Sequence, residues 1–177
     1  MLTTEALLHI CRFNNSARPS FGQPWTRSAP RSTTGSGFVY NVEQKLLITN
    51  AHVISFGCTI LVRKDGDNDK YEAVILTAAH QVDIAILTVL DDNFWKGACT
   101  LPLGTLPRFQ QAVDVIGYPM GGSTISISSG VVSRIDWTNY CHSFEPNLCI
   151  QVDAAINAGN SGMSAVLHMC LIGTILI

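Results

Sequence analysis

Apolar and polar positions alternate along this chain in short blocks separated by turn residues. Residues 35–40 are small and apolar, 41–44 turn the chain, and 45–49 run back. Residues 59–63 and 71–77 flank Asp65-Gly66-Asp67-Asn68-Asp69, a strong hairpin signal. Residues 84–90 form an unbroken apolar run of strand length, which predicts a buried strand. The stretch from Asp91 through Pro107 is rich in Asp, Gly and Pro and reads as a connection between two halves. The pattern resumes at 112–117 and turns at Tyr118-Pro119-Met120-Gly121-Gly122. It continues through 123–135, where Thr124, Ser126 and Ser128 alternate with Ile125, Ile127 and Ser129. This near period of two marks a half-buried strand. Segments 148–152 and 163–166 complete the set, and an amphipathic helix is expected only at 3–11. Many short strands without long helices predict an all-β sandwich or barrels.

Composition narrows this picture. The length of 177 residues accommodates one domain or two small fused barrels. Apolar residues make up 47% and charged residues 14%, which excludes a disordered chain. The net charge of −2, without a run of five like charges, gives no nucleic-acid footprint. No apolar run has the length of a transmembrane segment. The apolar tail at 167–177 is too short and contains His168 and Gly173, so it is expected to be a core strand or a strand left without its neighbours. Six cysteines show no C-x-x-C pair and read as thiols of an intracellular protein, although Cys141 and Cys149 are spaced to bridge a hairpin. The spacing of Cys141, His142 and Cys149 matches no structural zinc pattern. Residues 1–34 hold Arg12, Arg18, Arg27 and Arg31, several serines and a single acidic residue, Glu5. They read as a flexible arm or a transit-like segment.

Three segments carry candidate chemistry. Gly159-Asn160-Ser161-Gly162 places a serine between small residues on a tight turn. A serine hydroxyl is a poor nucleophile unless a base takes its proton and an acid orients that base. His52, in Thr49-Asn50-Ala51-His52, follows an apolar strand and is the candidate base. Asp83 stands just before the apolar run at 84–90, where an unpaired carboxylate would be costly, and is the candidate orienting acid. Backbone N–H groups of Gly159 and Ser161 are the candidate oxyanion hole. Taken singly, each element has a plain structural reading: a surface or core imidazole, a strand-capping aspartate, a polar turn. The order His, Asp, Ser on fitting strand edges is what gives the set its force. Thr77-Ala78-Ala79-His80 offers a rival histidine. His80 lies too close to Asp83 for intervening hairpins, whereas His52 leaves room for them.

Together with these segments, Ser36-Gly37-Phe38, Gly117-Tyr118-Pro119, Ser129-Gly130-Val131-Val132-Ser133 and Gln151-Val152-Asp153-Ala154-Ala155 resemble the Deg/HtrA (protease Do-like) serine proteases. Pro24-Trp25 and Asp91-Asp92-Asn93-Phe94-Trp95 resemble the plant Deg branch. The resemblance spans about residues 24 to 166 in order. It implies a trypsin-like double β-barrel at 35–177: a first barrel at 35–95, a link at 96–111 and a second barrel at 112–177. It implies a serine endopeptidase acting on unfolded or damaged polypeptides, usually after small apolar residues, with His52, Asp83 and Ser161 as its triad. It also implies no metal or cofactor, assembly as a homo-trimer, and an intracellular setting in a plant organelle, mitochondrion or chloroplast. Three features depart from the family pattern. Gly162 is followed by Met163 and Ser164 where the family has Gly and Pro, the tail after Ser161 is short, and no PDZ domain follows. These departures predict an incomplete second barrel. They also support a second reading, a catalytically impaired remnant that binds unfolded chains or protease subunits without turnover.

Overall fold

A computed structural model describes residues 6–14, 19–20, 23–27, 31–55, 59–119, 124–140, 144–155, 164–167 and 170–174. In chain order its strands and helices are β1 (Leu7–Asn14), β2 (Pro19–Ser20), β3 (Gln23–Arg27), β4 (Arg31–Asn41), β5 (Leu46–Thr49), α1 (Ala51–Ile54), β6 (Thr59–Lys64), β7 (Tyr71–Ala79), β8 (Ile84–Val89), α2 (Asp92–Trp95), β9 (Ala112–Gly117), β10 (Ser126–Asn139), β11 (Pro146–Val152), β12 (Ser164–Leu167) and β13 (Cys170–Thr174). Among the described residues, β1-β4-β5-β8-β7-β6 close into an antiparallel barrel, and β11-β10-β9-β12-β13 form an open five-stranded sheet. The all-β class expected from the alternating pattern therefore holds. β2 and β3 pair separately as a ribbon.

The barrel closes because alternate residues of its strands meet inside. Leu8 and Ile10 of β1, Val39 of β4, Leu47 of β5, Val62 of β6 and Leu87 of β8 are all fully buried in one cluster. Each such side chain contributes roughly 1.5–3 kcal/mol by leaving water. The opposite faces of β1 and β4 are buried as well. Leu7 and Phe38 pack with Leu101 and Ile116 in a second cluster, which joins the barrel to the second sheet. Close backbone approach explains one glycine. A Cβ on Gly37 would stand 2.7 Å from Ile10 Cδ1 and 2.9 Å from the Ile48 carbonyl oxygen, so β4 can nest between β1 and β5 only without a side chain there.

Three expectations change. The helix expected at 3–11 is instead strand β1 over Leu7–Asn14, and the first barrel thus draws on the segment read as an arm. Residues 6–11 are buried on every side, so their pattern carries no helical period. Pairing with β4 (Leu7↔Phe38) and β6 (Leu8↔Lys64) decides their conformation. The connection after β8 contains a helical turn, α2, because the Asp91 carboxylate accepts from the Asn93 N–H at 2.8 Å and caps it. Finally, β13 in the tail lies at the edge of the second sheet with β12 as its neighbour.

Candidate active site

Antiparallel register alone brings two of the candidates together. Thr49 of β5 pairs with Ala85 of β8, so the residues just beyond β5 face those just before β8. The Ala51 N–H accordingly donates to the Asp83 carbonyl at 3.1 Å. Asp83 ends the turn at 80–83 with φ of 53°, a left-handed conformation that aspartate adopts more readily than most residues. In this conformation both its carbonyl and its carboxylate engage residues 50–52. The Asn50 carboxamide donates to the Asp83 carbonyl at 2.8 Å, and the His52 N–H donates to Asp83 Oδ1 at 2.8 Å. His52 Nδ1 lies 2.5 Å from Asp83 Oδ2. An ionised carboxylate only accepts, so the Nδ1 proton sits on the imidazole and Nε2 carries the lone pair.

Helix α1 holds the histidine from the other side. Ala51, Val53 and Ile54 are buried in the barrel cluster, while the His52 side chain stays 23% exposed. The C-terminal end of α1 meets a cation from β1: Arg12 Nη1 donates to the carbonyl oxygen of the capping residue Ser55 and, at 3.4 Å, to that of His52.

Asp83 is 2% exposed. Burial by itself pushes its carboxyl pKa up. The hydrogen bonds from His52 Nδ1, Tyr140 and the His52 N–H, together with the His52 charge, outweigh burial and hold the pKa below the ordinary value. The hydroxyl of Tyr140, just past the end of β10, donates to Asp83 Oδ2 at 2.5 Å. The carboxylate is therefore ionised at neutral pH and suited to orient an imidazole and to stabilise an imidazolium.

His80 lies exposed in the turn at 80–83, and the imidazole bonded to the Asp83 carboxylate is that of His52. Gly159 and Ser161 lie outside the described residues, as do Met163, Cys141 and His142. The approach to the serine segment is described as far as residue 155. The Asp153 carboxylate accepts from the Val131 N–H at 2.6 Å, and the Asp153 N–H donates to the Val131 carbonyl at 3.2 Å. Sequence reasoning assigned no role to Asn50, Arg12 or Tyr140. Asn50 sat beside the candidate histidine and was within reach of a local argument. Arg12 and Tyr140 act across 40 and 57 residues of chain, where no local signal exists. Among the described residues, no group of three or more His, Cys, Asp or Glu side chains converges as a metal-binding set.

A closed barrel joined to a second antiparallel sheet, with a histidine oriented by a buried aspartate where the two meet, is the arrangement of a trypsin-like peptidase. The sequence profile described as "Trypsin-like peptidase domain" matches residues 35–168, and the chain belongs to that family. Within it, the chain falls among the protease Do-like, or Deg/HtrA, serine proteases, on the plant branch. It is 43% identical over 168 residues to "Protease Do-like 2, chloroplastic" of Arabidopsis thaliana, a match covering 90% of this chain and 27% of that protein. It is 41% identical over 155 residues to "Protease Do-like 4, mitochondrial" of the same plant, covering 88% of this chain and 30% of that protein. The chain thus spans less than a third of the length of these curated relatives. Among solved structures, "HtrA-type protease AlgWS227A with decapeptide" superposes with a TM-score of 0.79 at 23% identity, covering 96% of this chain and 54% of that one. At that identity the likeness concerns the fold.

Proposed function

We propose that this chain is a serine endopeptidase that cleaves unfolded or damaged polypeptides through His52, Asp83 and Ser161. The observation that carries the reading is the Asp83 carboxylate, buried and ionised, 2.5 Å from His52 Nδ1. This pair leaves Nε2 to act as the base. In the proposed cycle, His52 Nε2 takes the proton of the Ser161 hydroxyl as Oγ bonds to the peptide carbonyl carbon. The N–H groups of Gly159 and Ser161 hold the resulting oxyanion, each contributing about 3 kcal/mol. The intermediate collapses, the C–N bond breaks, and His52 returns its proton to the departing amine. Water, activated by the same imidazole, then releases the acyl group from Ser161. None of these steps calls on a metal or cofactor.

The relatives named chloroplastic and mitochondrial support a plant-organelle setting, and the Deg/HtrA resemblance supports a homo-trimer. The catalytic reading is tested with a fluorophosphonate probe on the folded protein beside a Ser161→Ala control. Labelling of the first and not the second is expected, followed by digestion of casein. Equal labelling, or none in either protein, would overturn the reading. Light scattering of the purified chain checks the trimer.

A further inference from the structure

The β10–β11 hairpin reaches back from the second sheet onto the turn that carries Asp83. Its backbone is held where it does so. The Phe144 N–H donates to the Tyr140 carbonyl at 2.7 Å, and the Tyr140 N–H donates to the Glu145 carbonyl at 3.0 Å. From this base the Tyr140 side chain, 6% exposed, delivers its hydroxyl to Asp83 Oδ2 at 2.5 Å. Asn147 of the same hairpin donates its carboxamide to the Gln81 carbonyl at 3.0 Å, giving a second point of attachment to that turn. Oδ2 is also the oxygen that faces His52 Nδ1. A carboxylate oxygen has room for two donors, and here one comes from each half of the molecule.

We propose that Tyr140 is a positioning residue for the Asp83–His52 pair, so that docking of the second sheet on the first barrel completes the aspartate's set of donors. The proposal rests on the catalytic reading given above. The first barrel alone supplies the His52 N–H and Nδ1–H to the carboxylate; the third donor arrives only with the hairpin. Without it, a carboxylate in a dry site has one hydrogen bond fewer, takes a proton more readily and is freer to turn away from the imidazole. Among the described residues, the titratable groups that meet the Asp83 carboxylate are His52, from α1, and Tyr140, beyond β10. Its main-chain carbonyl meets Asn50 and Ala51, neither of which titrates. On the adjoining segments His80 and Glu145 are exposed. A phenylalanine would fill the same space, so the hydroxyl and the packing can be separated.

The test compares the native chain with Tyr140→Phe, following the fluorophosphonate labelling rate across pH. The downfield proton resonance of His52 Nδ1–H and thermal unfolding are recorded on the same samples. Tyr140→Phe is expected to remain folded and to label about tenfold more slowly, the factor matching one charge-assisted hydrogen bond, with the acid limb of its profile moved to higher pH. A native labelling rate and profile in the folded variant would reduce Tyr140 to packing and overturn the proposal. If the native chain does not label at all, the catalytic reading fails by itself. The His52 resonance then decides: a shift or loss in Tyr140→Phe supports positioning, and an unchanged resonance refutes it. Should Tyr140→Phe unfold, 3-fluorotyrosine at position 140 keeps the shape with a stronger donor. It should move the acid limb, or the resonance, opposite to the loss of the hydroxyl; no movement overturns the proposal.

Discussion

At the scale of single residues, Asp83 shows how one side chain resolves competing electrostatic demands. Burial opposes its charge, and three donors more than offset that opposition. Replacing it by asparagine presents an amide to His52 Nδ1 and favours the wrong tautomer. Asp83→Asn is expected to slow fluorophosphonate labelling by about 10⁴-fold, the effect of the same exchange in a Ser-His-Asp triad. The depressed carboxyl pKa also fixes a direction for stability. The folded protein holds the ionised form more tightly than the unfolded chain does, whose aspartates titrate near about 3.9. The contribution of Asp83 is therefore complete above that value and is lost as pH falls through its lower folded pKa. Urea unfolding of the native chain and Asp83→Asn at a series of pH values checks this: the stability gap between them should stay constant above about pH 5 and narrow progressively as pH falls below about 4.

At the scale of elements, β1 does more than close a barrel. It also carries Arg12, whose guanidinium donates to the carbonyls of His52 and of Ser55, the residue that caps α1, the element that presents His52. Those carbonyls lie at a helix C-terminus, where a cation is favoured both by hydrogen bonding and by the helix dipole. Arg12→Ala is expected to lower the unfolding free energy by about 2 kcal/mol, measured in urea, since charge-assisted bonds to partly buried carbonyls are lost. Labelling should slow with it, because α1 is only four residues long and its histidine depends on the anchoring of its ends. A change confined to stability would separate β1's role in closing the barrel from any role in presenting His52.

At the scale of the whole molecule, the two halves are held by polar contacts as well as by apolar ones. Tyr118, fully buried, meets the His9 ring in a T-shaped contact, donates its N–H to Ser36 Oγ of the barrel at 2.8 Å, and donates its hydroxyl to Asp65 Oδ1 at 2.9 Å. Tyr140 and Asn147 add the contacts onto the Asp83 turn. Within the second sheet, β10 passes so close to the segment leading toward Ser161 that Gly130 leaves no room for a Cβ. One would fall 2.5 Å from Ala154 N and 2.6 Å from Asp153 Oδ1. Gly130→Ala must push residues 153–154 away and weaken the Asp153–Val131 pairing. A displacement of this kind is expected to slow labelling by about a hundredfold, as misplacement of a nucleophile by about 1 Å does, while far-ultraviolet circular dichroism stays close to native.

The strands from β4 through β9 were legible in the sequence because they rest on local information, and the pairing of His52 with Asp83 was legible because each sits in a short motif and the motifs follow in the order His, Asp, Ser. Period-two patterns, turn residues and the spacing that excludes His80 are all readable within a few residues of each site. Leu7–Asn14 was not legible in this way. A segment buried on all sides shows neither a strand's nor a helix's periodicity, and β4 and β6 had to supply its register. Arg12 and Tyr140 were equally out of reach, since a hydrogen bond spanning 40 or 57 residues leaves no mark on its neighbours in the chain. The sequence by itself determined the class of fold and singled out His52 and Asp83 as partners. Tertiary structure alone decided which distant side chains hold them, because a buried carboxylate takes its donors from whatever the fold brings within about 3 Å.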